Sequence, residues 1–406
     1  MKITLCAPVD IHWLARFSGV DATHLAEGYG STATTPLVIE LLRRGHEVTI
    51  YTLSHSLPVE LSLKWGNLRL FVGSGRQYGA IRNLFKPEIA YLERVIRQDR
   101  PAFVNAHWTY EFGMAALRSG VPTVVTIHDL PWNVLRYFRD RYRFGRLLMA
   151  YMVAARATRY TAVSHDAARH FARFMRPGAK IRTIPNFLND AVLDKSTGPR
   201  EHPAGPLVYA SVLQGWTRRK NPKASLRAFS LLRQRVAGVR LLMIGADYEM
   251  DGPAARWAAE QGLADDVTFV GALAYRVMLD RLQSSVDVLV MPSLDEALSM
   301  TILENMALGI PVIGGRSTPG VPEELEDGAA GLLVDMTQPE KIAKAMLRLQ
   351  NDPAEFARIS RAAFSRAHAV YTAESVVSQY VEVYRELLYE AHGTPILDRE
   401  KEEWPC

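Results

Sequence analysis

The stretch Met291–Gly315, MPSLDEALSMTILENMALGIPVIGG, decides how this chain is read. It begins at the end of a very apolar run, Val286-Asp-Val-Leu-Val-Met, which has the character of a buried strand. Glu296 lies in the loop after that run. Glu304, beyond seven intervening residues, lies on a short helix that Gly309 and Pro311 close. A strand, a loop carrying a carboxylate, a helix opening towards that loop and a further strand mark the carboxyl edge of a parallel sheet. Open α/β folds bind ligands at that edge.

Outward from this stretch, strands and helices alternate along the whole chain. In the first half, strands are expected at Lys2–Val9, His46–Leu53, Leu68–Val72, Ala102–His107, Thr123–His128, Tyr160–Ser164 and Ile181–Pro185. Helical patterns lie among them at Ala33–Arg44, Ile89–Gln98 and His165–Phe174. Asn189–Pro206, rich in Pro, Gly and charge, has the composition of a linker. Strands resume at Leu207–Val212, Val239–Gly245, Val267–Gly271, Val286–Met291, Pro311–Gly314 and Gly331–Val334, with helices at Pro222–Arg233, Ala254–Gln261 and Arg276–Gln283. A long amphipathic helix, Ala373–Ala391, precedes a charged tail, DREKEEWPC, expected to be loose. The expected fold class is therefore α/β, with two doubly wound Rossmann-like domains facing across a cleft. The boundaries are residues 1–188 and 203–372, with a C-terminal helix over 373–392.

Composition agrees. A chain of 406 residues exceeds what one core usually serves, so two domains of about 180–200 residues are the natural division. No apolar run reaches the roughly 18 residues of a membrane span; the best, Leu147–Ala155, has nine. MKITLCAPVD reads as a first strand rather than a signal peptide. Two cysteines, Cys6 and Cys406, exclude a disulfide framework and a Cys-rich zinc site, so a cytoplasmic location is the default. A net charge of +5 suits anionic ligands or weak peripheral association with an acidic membrane surface, and is too dispersed to argue for nucleic acid.

Several clusters carry chemistry. Gly215-Trp-Thr-Arg-Arg-Lys-Asn-Pro is the first strand-to-helix turn of the second domain. Arg218, Arg219 and Lys220 beside free helix amides suit a diphosphate, although a solvated basic loop is the plain alternative. Glu296 and Glu304 flank a helix start where Ala297, Leu298, Ser299 and Met300 would offer amides to an anion. For Glu304 the competing reading is a capping box, Thr301-x-x-Glu304. Ser317-Thr-Pro-Gly-Val-Pro-Glu-Glu-Leu is a third turn at the same edge, either a further set of amides or an ordinary Pro-punctuated turn. In the first domain, Gly28 and Gly30 in Gly-Tyr-Gly-Ser-Thr allow close approach to a ligand or make a plain turn. His107 and His128 end neighbouring strands.

Three stretches are set aside. Gly73-Ser-Gly-Arg-Gln-Tyr-Gly has the wrong spacing for a dinucleotide fingerprint, and Pro87 interrupts the helix that follows. Asp247-Tyr-Glu-Met-Asp lacks the further ligands of a cation site. The arginine-rich run Arg136–Arg146, leading into Leu147–Ala155, reads as an amphipathic helix over the core in preference to a membrane-facing one.

Glu296-(seven residues)-Glu304 followed by Asn-Met-Ala-Leu-Gly-Ile-Pro-Val-Ile resembles the EX7E signature of retaining GT-B glycosyltransferases of family 4. Further matches follow in order along nearly the whole chain: Arg44-Gly-His-Glu-Val-Thr, Pro122-Thr-Val-Val-Thr-Ile-His-Asp, Ala162-Val-Ser-His, Ile184-Pro-Asn, Lys220-Asn, Val267-Thr-Phe-Val-Gly and Met291-Pro-Ser-Leu-Asp-Glu. The resemblance implies transfer of a hexose from a nucleotide-sugar donor, with retention and without a metal or other cofactor, to an unidentified acceptor. A UDP-sugar is the first expectation and a GDP-sugar the second. Lys220 and Arg219 would neutralise the leaving diphosphate, Glu296 and His128 would lie at the sugar, and Glu304 would hold the ribose. Gly215, Gly271, Gly28 and Gly30 would line the donor space, and the C-terminal helix would cross back onto the first domain. The chain departs from the family at Glu296-Ala-Leu-Ser, where Glu-Gly-Phe-Gly is usual, and at Pro185-Asn-Phe and Gly28-Tyr-Gly. A nucleotide-sugar epimerase and a non-catalytic nucleotide-sugar-binding scaffold are the alternatives.

Overall fold

Runs that are apolar on both faces become the central strands of parallel sheets, because helices cover both sides. The computed structural model describes residues 1–57 and 60–392; the tail with Cys406 lies outside the described residues. The chain divides into two units. One comprises residues 1–163, 168–184 and the segment from Ala373; the other comprises 164–167 and 185–372.

The first unit has eight strands: β1 (Lys2–Cys6), β2 (Glu47–Ser54), β3 (Leu61–Trp65), β4 (Leu68–Ser74), β5 (Val104–His107), β6 (Thr123–Ile127), β7 (Arg159–Ala162) and β8 (Ile181–Thr183). Their order is β3-β4-β2-β1-β5-β6-β7-β8, parallel except for β3 against β4. The order reverses between β1 and β5, which makes that point the switch of the sheet. The C-terminal helix Ala373–His392 belongs to this unit. There Tyr384 Oη donates to Asn105 Oδ1 at 2.9 Å, and its ring stacks on Phe103 at 5.2 Å. Arg44 ties the start of the same helix, donating to Ala373 O at 2.9 Å and Ser378 Oγ at 3.0 Å.

The second unit has six strands: β9 (Val208–Val212), β10 (Arg240–Ile244), β11 (Val267–Gly271), β12 (Val288–Val290), β13 (Val312–Gly315) and β14 (Leu332–Val334). All pairs are parallel, in the order β11-β10-β9-β12-β13-β14. Here the switch falls between β9 and β12. The two loops that leave these strands at their carboxyl ends lie where open α/β sheets bind ligands. One is the Gly215–Asn221 turn and the other begins Met291–Glu296.

Two expectations need correction. Strand β3 was not foreseen, although Leu61-Ser-Leu-Lys-Trp alternates and the two-residue turn Gly66-Asn67 joins it to β4 as an antiparallel hairpin. The segment with linker composition is also packed in place. Residues Asp190–Leu193 are helical, and the Arg200 guanidinium donates to the carbonyls of Val286 at 2.5 Å, Leu308 at 3.0 Å and Gln283 at 3.1 Å. Charge and proline there serve a strap across the second unit.

Candidate active site

The turn after β9 is shaped by one glycine. Gly215 adopts φ +84°, a left-handed conformation that side chains resist, and its carbonyl accepts from Tyr248 Oη at 3.1 Å. Asp247, one of the acids set aside as a cation ligand, accepts the Trp216 amide at 2.9 Å. Asn221, itself left-handed at φ 51°, donates from Nδ2 to Pro292 O at 3.1 Å and Met336 O at 2.8 Å. The Leu294 amide donates to Arg219 O at 2.9 Å. The two switch-point loops are thereby stapled together.

That staple sets two cations against two carboxylates. Lys220 Nζ lies 2.5 Å from Glu296 Oε1, and Arg219 Nε lies 2.9 Å from Asp295 Oδ2. Glu296 is 7% exposed and Asp295 fully buried, so each needs the cation it has. Arg218, between Thr217 and Arg219, is exposed.

The helix Met300–Ala307 begins differently from the capping-box reading. Its N-cap is Ser299, whose hydroxyl accepts from the Ile302 amide; Thr301 is already inside the helix, and Glu304 caps nothing. The Ser299 amide is also not free for an anion, because it donates to the buried carboxylate of Glu324. Burial pushes the Glu324 carboxyl well above its usual range, against the pull of that amide. Leu298 and Met300 are partly exposed and Ala297 is buried. The turn 317–320 closes over this loop: Thr318 Oγ1 donates to Ser293 O at 2.7 Å, and Gly320, at φ +79°, comes so close that a Cβ there would lie 2.6 Å from Ala297 O.

Glu304 points into its own buried pocket. Its Oε1 accepts from Tyr275 Oη at 2.7 Å, and Tyr275 in turn accepts from Asn189 Nδ2 at 3.1 Å. Burial raises the Glu304 carboxyl to about 7, outweighing the Tyr275 hydrogen bond that favours the ionised form. At the end of β11, Gly271 takes φ +78°, and a Cβ there would lie 3.1 Å from Glu249 Cγ.

In the first unit the two strand-end histidines meet. His107 Nδ1 and His128 Nε2 are 2.8 Å apart, and Trp108 stacks on the His128 ring at 4.1 Å. Enclosure lowers His128 to about 3, and burial with the neighbouring ring takes His107 well below its usual value, so both are neutral. Gly28 makes its close approach to the protein itself: a Cβ there would lie 2.0 Å from Val9 O. Gly30 is left-handed at φ +67° and its surroundings are open.

Sequence reasoning passed over Asp295, Tyr275, Asn189, Asn221 and Glu324. Asp295 adjoins Glu296 and Glu324 lies in a quoted turn, so their positions carried a signal. Tyr275 and Asn189 are distant from Glu304 in sequence and carried none. Among the described residues no group of three His, Cys, Asp or Glu is placed to hold a metal ion.

Residues 205–366 match the family model described as glycosyl transferases group 1, and residues 31–192 match that described as glycosyltransferase family 4. The chain is similar to N-acetyl-alpha-D-glucosaminyl L-malate synthase of Bacillus anthracis, 23% identical over 386 residues that span 89% of this chain and 94% of that one. It is also similar to a GDP-mannose-dependent alpha-(1-6)-phosphatidylinositol monomannoside mannosyltransferase of Mycolicibacterium smegmatis, 29% identical over 59% of this chain and 64% of that one. Among solved structures, sucrose-phosphate synthase from Thermosynechococcus elongatus aligns with a TM-score of 0.72 at 19% identity, covering 96% of this chain and all of that one (100%).

Proposed function

The chain belongs to the group 1, family 4 glycosyltransferases and has their GT-B fold, and on that premise we propose a retaining transfer of a hexose from a nucleoside diphosphate sugar, without a metal ion. The observation that carries this reading is the pair of cations, Lys220 and Arg219, fixed at the switch point of the second sheet. When the bond between the anomeric carbon and the phosphate oxygen breaks, negative charge develops on the departing diphosphate. Preorganised cations in a sheltered crevice stabilise that charge without reorganising. Lys220 and Arg219 take that role, Glu296 lies beside the sugar and its leaving phosphate, and Glu304 holds the ribose hydroxyls. His128, neutral in the first unit, is assigned to the sugar by the family resemblance.

A UDP-sugar is placed first among donors and a GDP-sugar second. The family resemblance puts the UDP-sugar first, and the similarity to a GDP-mannose-dependent enzyme keeps the GDP-sugar next. The acceptor carries the hydroxyl that replaces the diphosphate.

A panel of UDP-, GDP-, ADP- and TDP-sugars in a thermal-shift assay tests the donor site. A ligand at 100 times its dissociation constant stabilises by about 2.7 kcal/mol. Absence of a shift with every donor refutes the assignment. Donor hydrolysis that survives Lys220→Ala and Glu296→Gln unchanged points instead to a non-catalytic binding protein. Turnover abolished by EDTA and restored by a divalent cation refutes the metal-free reading.

A further inference from the structure

Residues 131–182 contain twelve Arg and Lys against two Asp, a net charge of +10, whereas the whole chain carries +5. The charge read above as dispersed is in fact concentrated in this one segment, and the remainder is net acidic. Two first-unit helices open the segment, Pro131–Phe138 and Arg141–Arg156. The second buries Leu147, Met149, Ala150 and Val153 in the core, so the apolar run serves the core on one side as its amphipathic pattern foretells.

The opposite side is uncovered. Trp132 is 41% exposed, Phe144 62%, Leu148 44% and, on the helix His165–Phe174, Phe174 44%. They are neighbours. Trp132 Nε1 donates to Tyr151 Oη at 2.9 Å, and Tyr151 Oη donates to Phe174 O at 2.9 Å. Phe144, Leu148 and Tyr151 follow at spacings of four and three, which places them on one helix face. Around this strip, Arg136, Arg139, Arg141 and Arg173 are exposed, and no carboxylate pairs with them among the described residues. Other arginines of the segment do have acids: Arg143 has Asp140, Arg146 has Glu111 and Arg182 has Glu382.

We propose that this face docks on the anionic surface of a lipid bilayer, its aromatic and leucine side chains entering the headgroup boundary and its unpaired arginines engaging acidic headgroups. Trp, Tyr and Phe sit favourably at that boundary, where one end of the ring is apolar and the other wet. The combination selects the occupant. A soluble polyanion would use the arginines and leave the apolar strip in water; an apolar partner would leave the arginines unused. No described helix is long and apolar enough to cross a membrane, and the attachment is one of surface contact.

Cosedimentation of the full chain with vesicles tests this without reading turnover, so its outcome is separate from the glycosyl-transfer proposal. The chain should bind vesicles of phosphatidylcholine with phosphatidylglycerol, fail to bind phosphatidylcholine alone, and dissociate in high salt. Each arginine neutralised near an acidic surface should weaken partition about fivefold, so Arg136→Gln/Arg139→Gln/Arg141→Gln together should weaken it about a hundredfold. Phe144→Ser/Leu148→Ser should weaken it at unchanged arginine content, with an unaltered melting temperature showing that the core is intact. Equal binding to both vesicle types, no binding to either, or binding indifferent to both variants overturns the proposal. So does self-association in solution that the Phe144→Ser/Leu148→Ser variant abolishes, if vesicles are not bound.

Discussion

Glu304→Gln isolates a strongly displaced titration in the second unit. The carboxyl is 4% exposed, touches Tyr275 and is raised from 4.5 to about 7 by burial. Below the unfolded value the native and unfolded chains both hold the proton, and the group costs nothing. As pH rises from 4.5 through about 7, the unfolded chain releases it first, so stability falls, by about 3 kcal/mol at most when 2.5 units are converted at 1.36 kcal/mol each. Donor hydroxyls that bind the ionised carboxylate must therefore drive off a proton. If binding requires the ionised form throughout, the dissociation constant should fall about ninetyfold between pH 5 and pH 8, most of it below pH 7. Calorimetry in two buffers of different ionisation enthalpy would register the released proton directly. Glu304→Gln should flatten the pH dependence and silence the proton release while the Tyr275 hydrogen bond persists. A wild-type affinity that is level across this range, or weakens as pH rises, refutes the ribose-holding role.

Lys220→Ala should lower turnover by at least about a hundredfold, the scale of one lost charge-stabilising donor. It should also destabilise the second unit, because Glu296 would be left nearly buried without a cation; a melt combined with kinetics reads both. Gly320→Ala should destabilise by at least about 2 kcal/mol, since a left-handed φ costs about 1–2 kcal/mol and the new Cβ meets Ala297 O. Gly30→Ala, equally left-handed but with open space, is the control and should cost only about 1 kcal/mol by the same measurement. Arg200→Ala should cost about 2–4 kcal/mol by leaving buried carbonyls unpaired, and should speed amide exchange in the helix Tyr275–Ser285; unchanged exchange would show that the strap is passive.

Much of this protein was legible because its central strands are apolar on both faces and are punctuated by Gly and Pro. Leu207–Val212, Val239–Gly245 and Thr123–His128 could be placed within a residue or two for that reason. Strand β3 escaped because an edge strand with one solvated face offers only weak alternation. At the candidate site, sequence position put Lys220 and Glu296 on the two switch-point loops. Their pairing was not legible, because it depends on Asn221 and the Leu294 amide holding two distant loops in register. The capping-box pattern at Thr301 misled, since Ser299 two residues earlier competes for the same helix start and wins it. Similarly, the arginine-rich run gave away its inner face by periodicity, but what leaves its outer face uncovered is tertiary.

The carboxylates that already occupy Lys220 and Arg219 change what arrival of a phosphate means. A site of bare cations would greet any anion, from inorganic phosphate to a nucleic acid backbone. Here an anion has to take the place of Glu296 and Asp295, and a ligand presenting two adjacent phosphates can displace both where a monophosphate displaces one. The resting protein thus behaves as an ion exchanger with two coupled positions. On the proposed function, selectivity for a diphosphate would depend on what the ligand must evict as much as on what it finds.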